Sequence, residues 1–545
     1  MDTIFELSSA RATARKWWAL GALVLAVLAV GLDGTILSVA LPTLGRSLDA
    51  STGQLQWFVA AYTVVFAAAL VPGGMLGDRY GRKRMLIVSL LVFGAASIAC
   101  AVAPSAGTFI AARALLGLGG ALLLPMVLAL LPVLFDEKER ARAIGAITAA
   151  AMLGYPIGPL LGGWMLTKFH WSWVFLINVP VVALALVAVV ALVPESRSSI
   201  RTRPDPGGIV LSAGGLAVLT YGVIGAGGRG WSDSLALAEM LGGALALAGF
   251  VLWERRVASP LVDLRLFRSR AFAWGSGLSS IVSFVMFGLL FAVPLYFQVV
   301  RGTDAQGSGI RLLPLIAGLL AGGAVADRLA ARAGVRAIAA LGFALLAAGL
   351  AVGATTSVAT GDARAIAWIA LSGLGLGLVL PTTIDAALGA VSDESSGVSS
   401  GVLQALRMAG GAFGAAILGA IINATYRDQL EHATSPTLAR AAGASAVTGI
   451  DAANSAHSQP LLAAVRHAFV SGMNMTLWVS AALMAAGAVL AIAIRPRASA
   501  AFELPEAEAE ESAPDFRQQA GSKRGKPSPF NRAEPTSGAT MGPYG

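Results

Sequence analysis

Charge is what this chain has least of. Only 13% of its 545 residues are Asp, Glu, Lys or Arg, whereas a soluble domain carries about 25%. That shortage excludes an ordinary soluble fold. Cysteine is nearly absent too: Cys100 stands alone inside an apolar run, so there is no disulfide framework. One such cysteine and four scattered histidines offer no metal site. No Gly-x-x-x-x-Gly-Lys-Ser/Thr loop occurs, so ATP hydrolysis by this chain has no support. Neither enzyme activity nor a cofactor is expected. The net charge of +9 does not indicate nucleic acid as a partner, because the cations cluster in short loops between apolar runs.

What is abundant is apolar sequence: 56% of residues are hydrophobic and the mean hydropathy is +0.73. A spanning helix needs about 20 mostly apolar residues. Fourteen runs qualify: 17–41, 55–76, 85–102, 108–134, 143–166, 173–193, 207–224, 235–253, 272–299, 310–326, 335–355, 365–391, 398–425 and 469–494. The first is long enough to span and lacks a cleavage site, so it reads as a retained helix. With the amino terminus in the cytoplasm, 28 Lys and Arg fall inside and 9 outside, with Arg113 and Arg407 left in the membrane. Dropping any helix would invert every later loop and destroy that asymmetry, so both termini are expected inside. The Arg-, Ala- and Gly-heavy composition suits a GC-rich bacterial genome and hence a bacterial cytoplasmic membrane.

The chain also repeats itself. Leu118-Gly119, Leu124-Pro125, Gly145, Gly158 and Gly163 recur 256 residues later as Leu374-Gly375, Leu380-Pro381, Gly401, Gly414 and Gly419. Gly74, Asp78 and Arg79 recur 249 residues later as Gly323, Asp327 and Arg328. Duplicated halves are the usual build of secondary transporters, with substrate bound between them near the midplane. The expected fold is therefore all-α and polytopic: two six-helix halves with a pseudo-two-fold relation, plus two inserted helices. The boundaries are 1–16 (cytoplasmic segment), 17–193 (first half), 194–270 (inserted pair), 271–494 (second half) and 495–545 (disordered tail). Within the second half, 426–467 reads as a polar outside loop, too long for a plain connector.

Four features stand out as candidate chemistry. Asp33 lies deep in the first run, where a carboxylate costs about 2.5–3.5 kcal/mol on insertion scales and needs a partner, water or a proton. Arg113 lies in the fourth run. Helical rise puts Arg113 about 9 Å and Asp33 about 12 Å below the same face. A buried arginine keeps its proton, so it must be paired. The two residues form either a proton-coupling pair or a structural lock between helices. Third, Gly154, Gly158 and Gly162 line one face of the fifth run, with Gly163 beside them and Pro156 and Pro159 interrupting the ladder. Such a face lets helices approach closely, and proline loosens the backbone. Fourth, the turn 74–84 reads G-M-L-G-D-R-Y-G-R-K-R. Its cations anchor topology, and Asp78 and Arg79 could also form ion pairs or helix-end contacts that hold a cytoplasmic gate shut.

These stretches carry a family resemblance. The turn, with Gly74, Asp78, Arg79, Gly81 and Arg82, closely resembles the signature between the second and third helices of the Major Facilitator Superfamily. Leu32-Asp33-Gly34-Thr35 resembles the first-helix signature of its 14-helix drug:proton antiporter branch. Arg113 to Gly120 resembles the fourth-helix signature, with Leu116 where Gln is common. Gly154 to Gly163 resembles the signature of exporters, generally absent from symporters, where it is thought to act as a hinge.

The resemblance implies a proton-coupled antiporter that exports drugs or other amphipathic small molecules by alternating access, with the proton as coupling ion. It further implies that helices nine and twelve face a central cavity. Asp385 is then a candidate cation-attracting or second proton site, and Arg407 a candidate partner for it. Phe284, Phe287, Tyr296 and Gln298 become candidate cavity residues, packing or lipid-facing roles being the alternative. A dedicated exporter of a self-made metabolite, peptide or lipid is a rival reading, as are an uptake system and a non-transporting membrane protein. The expected partners are a small-molecule substrate and the lipid bilayer, and the expected state is a monomer.

Overall fold

The computed structural model describes residues 2–197, 205–389, 391 and 396–493. The expected tail, with its acidic run 503–511 and basic run 523–526, lies outside the described residues, as do Met1, 198–204, 390, 392–395 and Ile494. Among the described residues all regular structure is helical, and fourteen helices are long and apolar enough to cross a membrane. The first half holds α1 (Arg15–Ser47, continuous with a helix beginning at Asp2), α2 (Thr52–Tyr80), α3 (Arg82–Ala101), α4 (Ala106–Leu134), α5 (Glu137–Lys168) and α6 (Trp173–Leu192). The inserted pair is α7 (Pro206–Arg229) and α8 (Ser234–Glu254). The second half holds α9 (Arg270–Val300), α10 (Ala305–Ala333), α11 (Val335–Gly353), α12 (Asp362–Leu388), α13 (Gly397–Ala433) and α14 (Gln459–Ala493).

Local chemistry sets the helix starts. Ser51 with Gln54 and Ser105 with Thr108 form capping boxes at α2 and α4, and Asp136 caps α5 through the Glu139 amide. Each satisfies backbone donors that the first turn leaves unpaired. The basic turn 74–84 is shorter than the sequence suggests. α2 runs to Tyr80, α3 starts at Arg82, and Gly81 alone makes the break at φ +112°. Gly334 does the same between α10 and α11 at φ +86°. A side chain is disfavoured in that backbone region, so glycine permits both reversals.

The halves share one packing plan. α1 lies on α5, α2 on α4 and α3 on α4; likewise α9 lies on α13, α10 on α12 and α11 on α12. Across the halves, α2 packs on α13 and α5 on α10. The inserted pair sits outside this plan: α7 packs on α2 and α13, while α8 packs chiefly on α7 and is largely exposed. Asn423 Nδ2 donates to the Gly227 carbonyl at 3.0 Å, fixing α7 to α13. Glu239 of α8 pairs with Arg229 of α7 at 2.5 Å, a tie within the inserted pair.

The region 426–467 is mostly helical, which alters its reading as a polar loop. α13 continues to Ala433, short helices occupy Pro436–Ala442 and Ala446–Ser455, and α14 begins at Gln459. Ser445 and Thr448 form a capping box, and the buried Tyr426 hydroxyl donates to the Ala442 carbonyl at 2.9 Å. The segment also reaches the first half: Thr52 Oγ1 donates to the Ala444 carbonyl, and Arg46 pairs with Asp451 at 3.3 Å.

Candidate functional site

Gly81 and Gly334 mark one end of the bundle, called here the basic end. The end holding Ser47 and Ala433 is the far end. Asp33 and Arg113 are brought together between α1 and α4, sealed from solvent at 0% and 1% exposure. Arg113 Nη1 donates to Asp33 Oδ2 at 2.6 Å, and Arg113 Nε donates to the Phe58 carbonyl at 3.0 Å. The guanidinium also lies over the Tyr62 ring, 4.7 Å from its centroid. A desolvated ring face adds cation–π attraction of about 2 kcal/mol. Asp33 Oδ1 is buried with no hydrogen-bond partner. The carboxyl therefore has one oxygen held by arginine and one open to a proton. Phe58, Phe109 and Phe175 pack edge to face on the far-end side, with centroids 4.6 and 5.3 Å apart.

The glycine stripe of α5 serves two neighbours. Gly154, Gly158 and Gly162 face α1 at Gly31, Thr35 and Ile36, all within the first half. Thr35 Oγ1 donates to the Gly154 carbonyl at 2.9 Å, two residues along α1 from Asp33. Pro159 and Gly163 face the other half instead, against Gly309 and Ala305 of α10. Pro156 lies inside the same helix, half-buried. Only part of the stripe lies where the halves meet.

Of the gate residues, Asp78 forms an ion pair at the end of α2. Asp78 pairs with Arg82 at 2.8 Å, one helical turn on, and Arg82 also donates to the Ala129 carbonyl of α4. Arg79 is exposed and lies over the Tyr80 ring, 5.4 Å from its centroid. Every one of these contacts stays within the first half. The break at Gly81 turns the Arg82 side chain back onto Asp78, leaving Arg79 outside. Gly74 packs on Pro125 of α4.

The anticipated Asp385–Arg407 pair is absent among the described residues. Asp385 is exposed four residues before Gly389, at the basic end, with Asp327 as its charged neighbour. Arg407 stands eleven residues into the helix from Ser396, about 16 Å from its start. Depth separates the two. Arg407 Nη1 bonds only the neutral Gln404 Oε1 at 2.9 Å, and its Nε is buried without a partner.

Of the aromatics, Phe284 and Phe287 are half-buried on α9, and the Phe287 ring rests on Gly411 of α13. Tyr296 is fully buried and so lines no open cavity in this conformation. It begins a π turn, Tyr296–Val300, that sequence periodicity does not reveal. Gln298 Nε2 donates to the Val39 carbonyl of α1 at 3.0 Å, a bond between the halves. With Arg46–Asp451 and Pro159–Gly309, it belongs to a closure of the far end. At the basic end α4 and α12 are not packed together. Among the described residues no group of three His, Cys, Asp or Glu is placed to hold a metal ion.

Known proteins share this architecture and much of this sequence. The chain is 32% identical over 494 residues to the tetracenomycin C resistance and export protein of Streptomyces glaucescens, covering 88% of this chain and 92% of that one. It is 34% identical to the multidrug efflux pump LfrA of Mycolicibacterium smegmatis, covering 90% and 98%. It is 35% identical to a probable actinorhodin transporter of Streptomyces coelicolor, covering 75% and 72%. Among solved structures, an inward-facing bacterial homologue of the lysosomal transporter Spinster superposes with a TM-score of 0.62 at 18% identity, over 88% of this chain and 97% of that one. Residues 23–415 match the Major Facilitator Superfamily, and with these relatives they establish that the chain belongs to that family of transporters.

Proposed function

We propose that this protein is a proton-coupled antiporter that exports drugs or self-made antibiotics from a bacterial cell across its cytoplasmic membrane. The observation that carries the coupling is the occluded Asp33–Arg113 pair with its free Asp33 Oδ1. The names of the relatives, which speak of resistance, export and efflux, support the cargo class. The loop charges support an orientation with the basic end and both termini in the cytoplasm. On that orientation the conformation described here is closed outward.

The cycle follows from the geometry. A proton arriving from outside neutralises Asp33, and the 2.6 Å bond to Arg113 weakens. Release of that bond frees α1 against α4, and α1 is the helix on which the α5 glycines ride. The halves then rock about the α2–α13 and α5–α10 contacts. Substrate leaves outward before that rocking, while the site still faces outside, and the proton leaves inward after it, as the pair re-forms. The membrane potential supplies about 2.3 kcal/mol per charge per 100 mV, comparable to the cost of parting a well-paired buried ion. No covalent step is needed, and the protein acts as a monomer.

The test uses purified protein in liposomes with an imposed pH gradient and a pH dye inside. Addition of lipophilic drugs and antibiotics should trigger proton flux in the wild type and none in Asp33→Asn. Equal flux in the variant would remove Asp33 from the proton path. Failure of every compound to trigger flux in the wild type would count against drug export.

A further inference from the structure

We infer that Arg407 is an anion subsite in the substrate path, so that the cargo this protein handles best is an aromatic acid: a flat apolar body bearing a carboxylate or phenolate. The inference rests on the export reading and narrows it.

Charge bookkeeping in the membrane interior leads there. Asp33 and Arg113 neutralise one another at 2.6 Å. Asp385 is exposed near the basic end. That leaves Arg407 as an interior cation with no carboxylate partner among the described residues. Its hydrogen bond to Gln404 satisfies one donor but none of the charge. An arginine cannot shed its proton to escape burial. Interior ionisable groups are costly, and they mark substrate or ion pathways.

Its position agrees. The titratable group across from Arg407 is the Tyr155 phenol of α5, in the opposite half. α5 and α13 are not packed on each other. Arg407 therefore lies on the side of α13 that looks toward the opposite half. One turn farther along α13, Gly411 carries the half-buried Phe287 ring of α9. A planar fork of donors below an aromatic wall is complementary to a carboxylate on an aromatic ring. Arg407 also bonds a residue of its own helix only, so binding an anion would break no tie between helices. An aromatic cation meets the opposite: a fixed like charge, with no free carboxylate beside it among the described residues.

The experiment uses the full-length protein in liposomes, with fluorescein as the aromatic anion and ethidium as the aromatic cation. Wild-type protein should move fluorescein in preference to ethidium. Arg407→Gln should lower fluorescein transport about ten- to hundredfold, the worth of one charge-assisted hydrogen-bond pair, and leave ethidium equal or improved. Arg407→Lys keeps the charge and loses the fork, so it should retain an intermediate rate, and it guards against a mere folding defect in the glutamine variant. Fluorescein transport unchanged in Arg407→Gln, or ethidium favoured by the wild type, would overturn the inference while export itself stood. Movement of neither probe by the wild type would count against the export reading and take this inference down with it.

Discussion

The two halves can be laid over one another residue by residue, and at one place their chemistry is opposite. Gly154 and Gly158 of α5 pack on Gly31 and Thr35 of α1, while Gly410 and Gly414 of α13 pack on Ser280 and Phe284 of α9. By the same offset, the counterpart of Asp33 is Val282. Gly117 of α4 meets the Tyr62 backbone as Gly373 of α12 meets that of Leu315, so the counterpart of Arg113 is Ile369. Val282 and Ile369 are as buried as the charged residues, at 0% and 1% exposure. One slot is filled by an ion pair, the other by two β-branched side chains. The bundle evidently does not need charge there to pack. Apolar replacement of a buried ion pair is often neutral or stabilising. On the proposed mechanism, that difference fits a pair kept for proton coupling rather than for holding α1 to α4.

The strongest way to break this comparison is to make the halves alike. The double variant Asp33→Val with Arg113→Ile should fold and melt near the wild type in detergent, while substrate-driven proton flux disappears. Arg113→Ile alone should be much worse for stability, because it strands a buried carboxylate. Losing one member of such a pair costs about 3–5 kcal/mol. If the double variant melts as low as the single one, the pair is a structural lock and the contrast between the halves has been misread.

A smaller effect tests the symmetry itself. A Cβ on Gly154 would stand 2.7 Å from the Gly31 carbonyl carbon, and one on Gly410 would press on the Ser280 carbonyl oxygen. Neither obstacle is a flexible side chain. Gly154→Ala and Gly410→Ala should each cost about 1–3 kcal/mol, the usual penalty of overpacking, and by similar amounts in thermal melts. Gly163→Ala differs, because its obstacle is the Ala305–Gln306 backbone of the other half. It should slow transport more than it lowers the melting temperature. A large gap between the first two variants would show that the halves do not carry load equally.

Much of this was readable in the chain. Fourteen apolar runs became fourteen helices because only a helix satisfies its backbone in lipid within a single segment. The Gly154–Gly163 period named a close-packed face, and depth alone suggested that Asp33 could meet Arg113. What sequence could not tell was direction. Nothing in the spacing says that Gly158 meets Thr35 while Gly163 meets Ala305, since that depends on how α5 is rotated between two neighbours. The basic turn hid its brevity because Gly81 is one glycine among several. The region 426–467 reads as polar, yet Tyr426 and Ser445 fold it into short helices that reach α1. Arg407 was visible as a buried charge. That its helix places it about two turns from Asp385 in depth, and so without a partner among the described residues, emerges only in three dimensions.

The smallest effect concerns the far end, where the halves touch through bonds of unequal worth. Gln298 to Val39 is buried and 3.0 Å long. Arg46 to Asp451 is 3.3 Å long, with side chains 43% and 47% exposed. Solvent screens the second pair, so it contributes about 0–1 kcal/mol, whereas the first contributes about 0.5–1.5 kcal/mol. Among the described residues neither bond has a counterpart at the basic end, where α4 and α12 are not among the packed helix pairs. Gln298→Ala should therefore shift the population toward a far-end-open state by about fivefold, and Arg46→Ala by less. Spin labels on Ser47→Cys and Ser455→Cys, in a Cys100→Ala background, would read that shift as a longer distance between labels. A larger opening from Arg46→Ala than from Gln298→Ala would mean that the short helices of 436–455, not the π turn of α9, hold the far end closed.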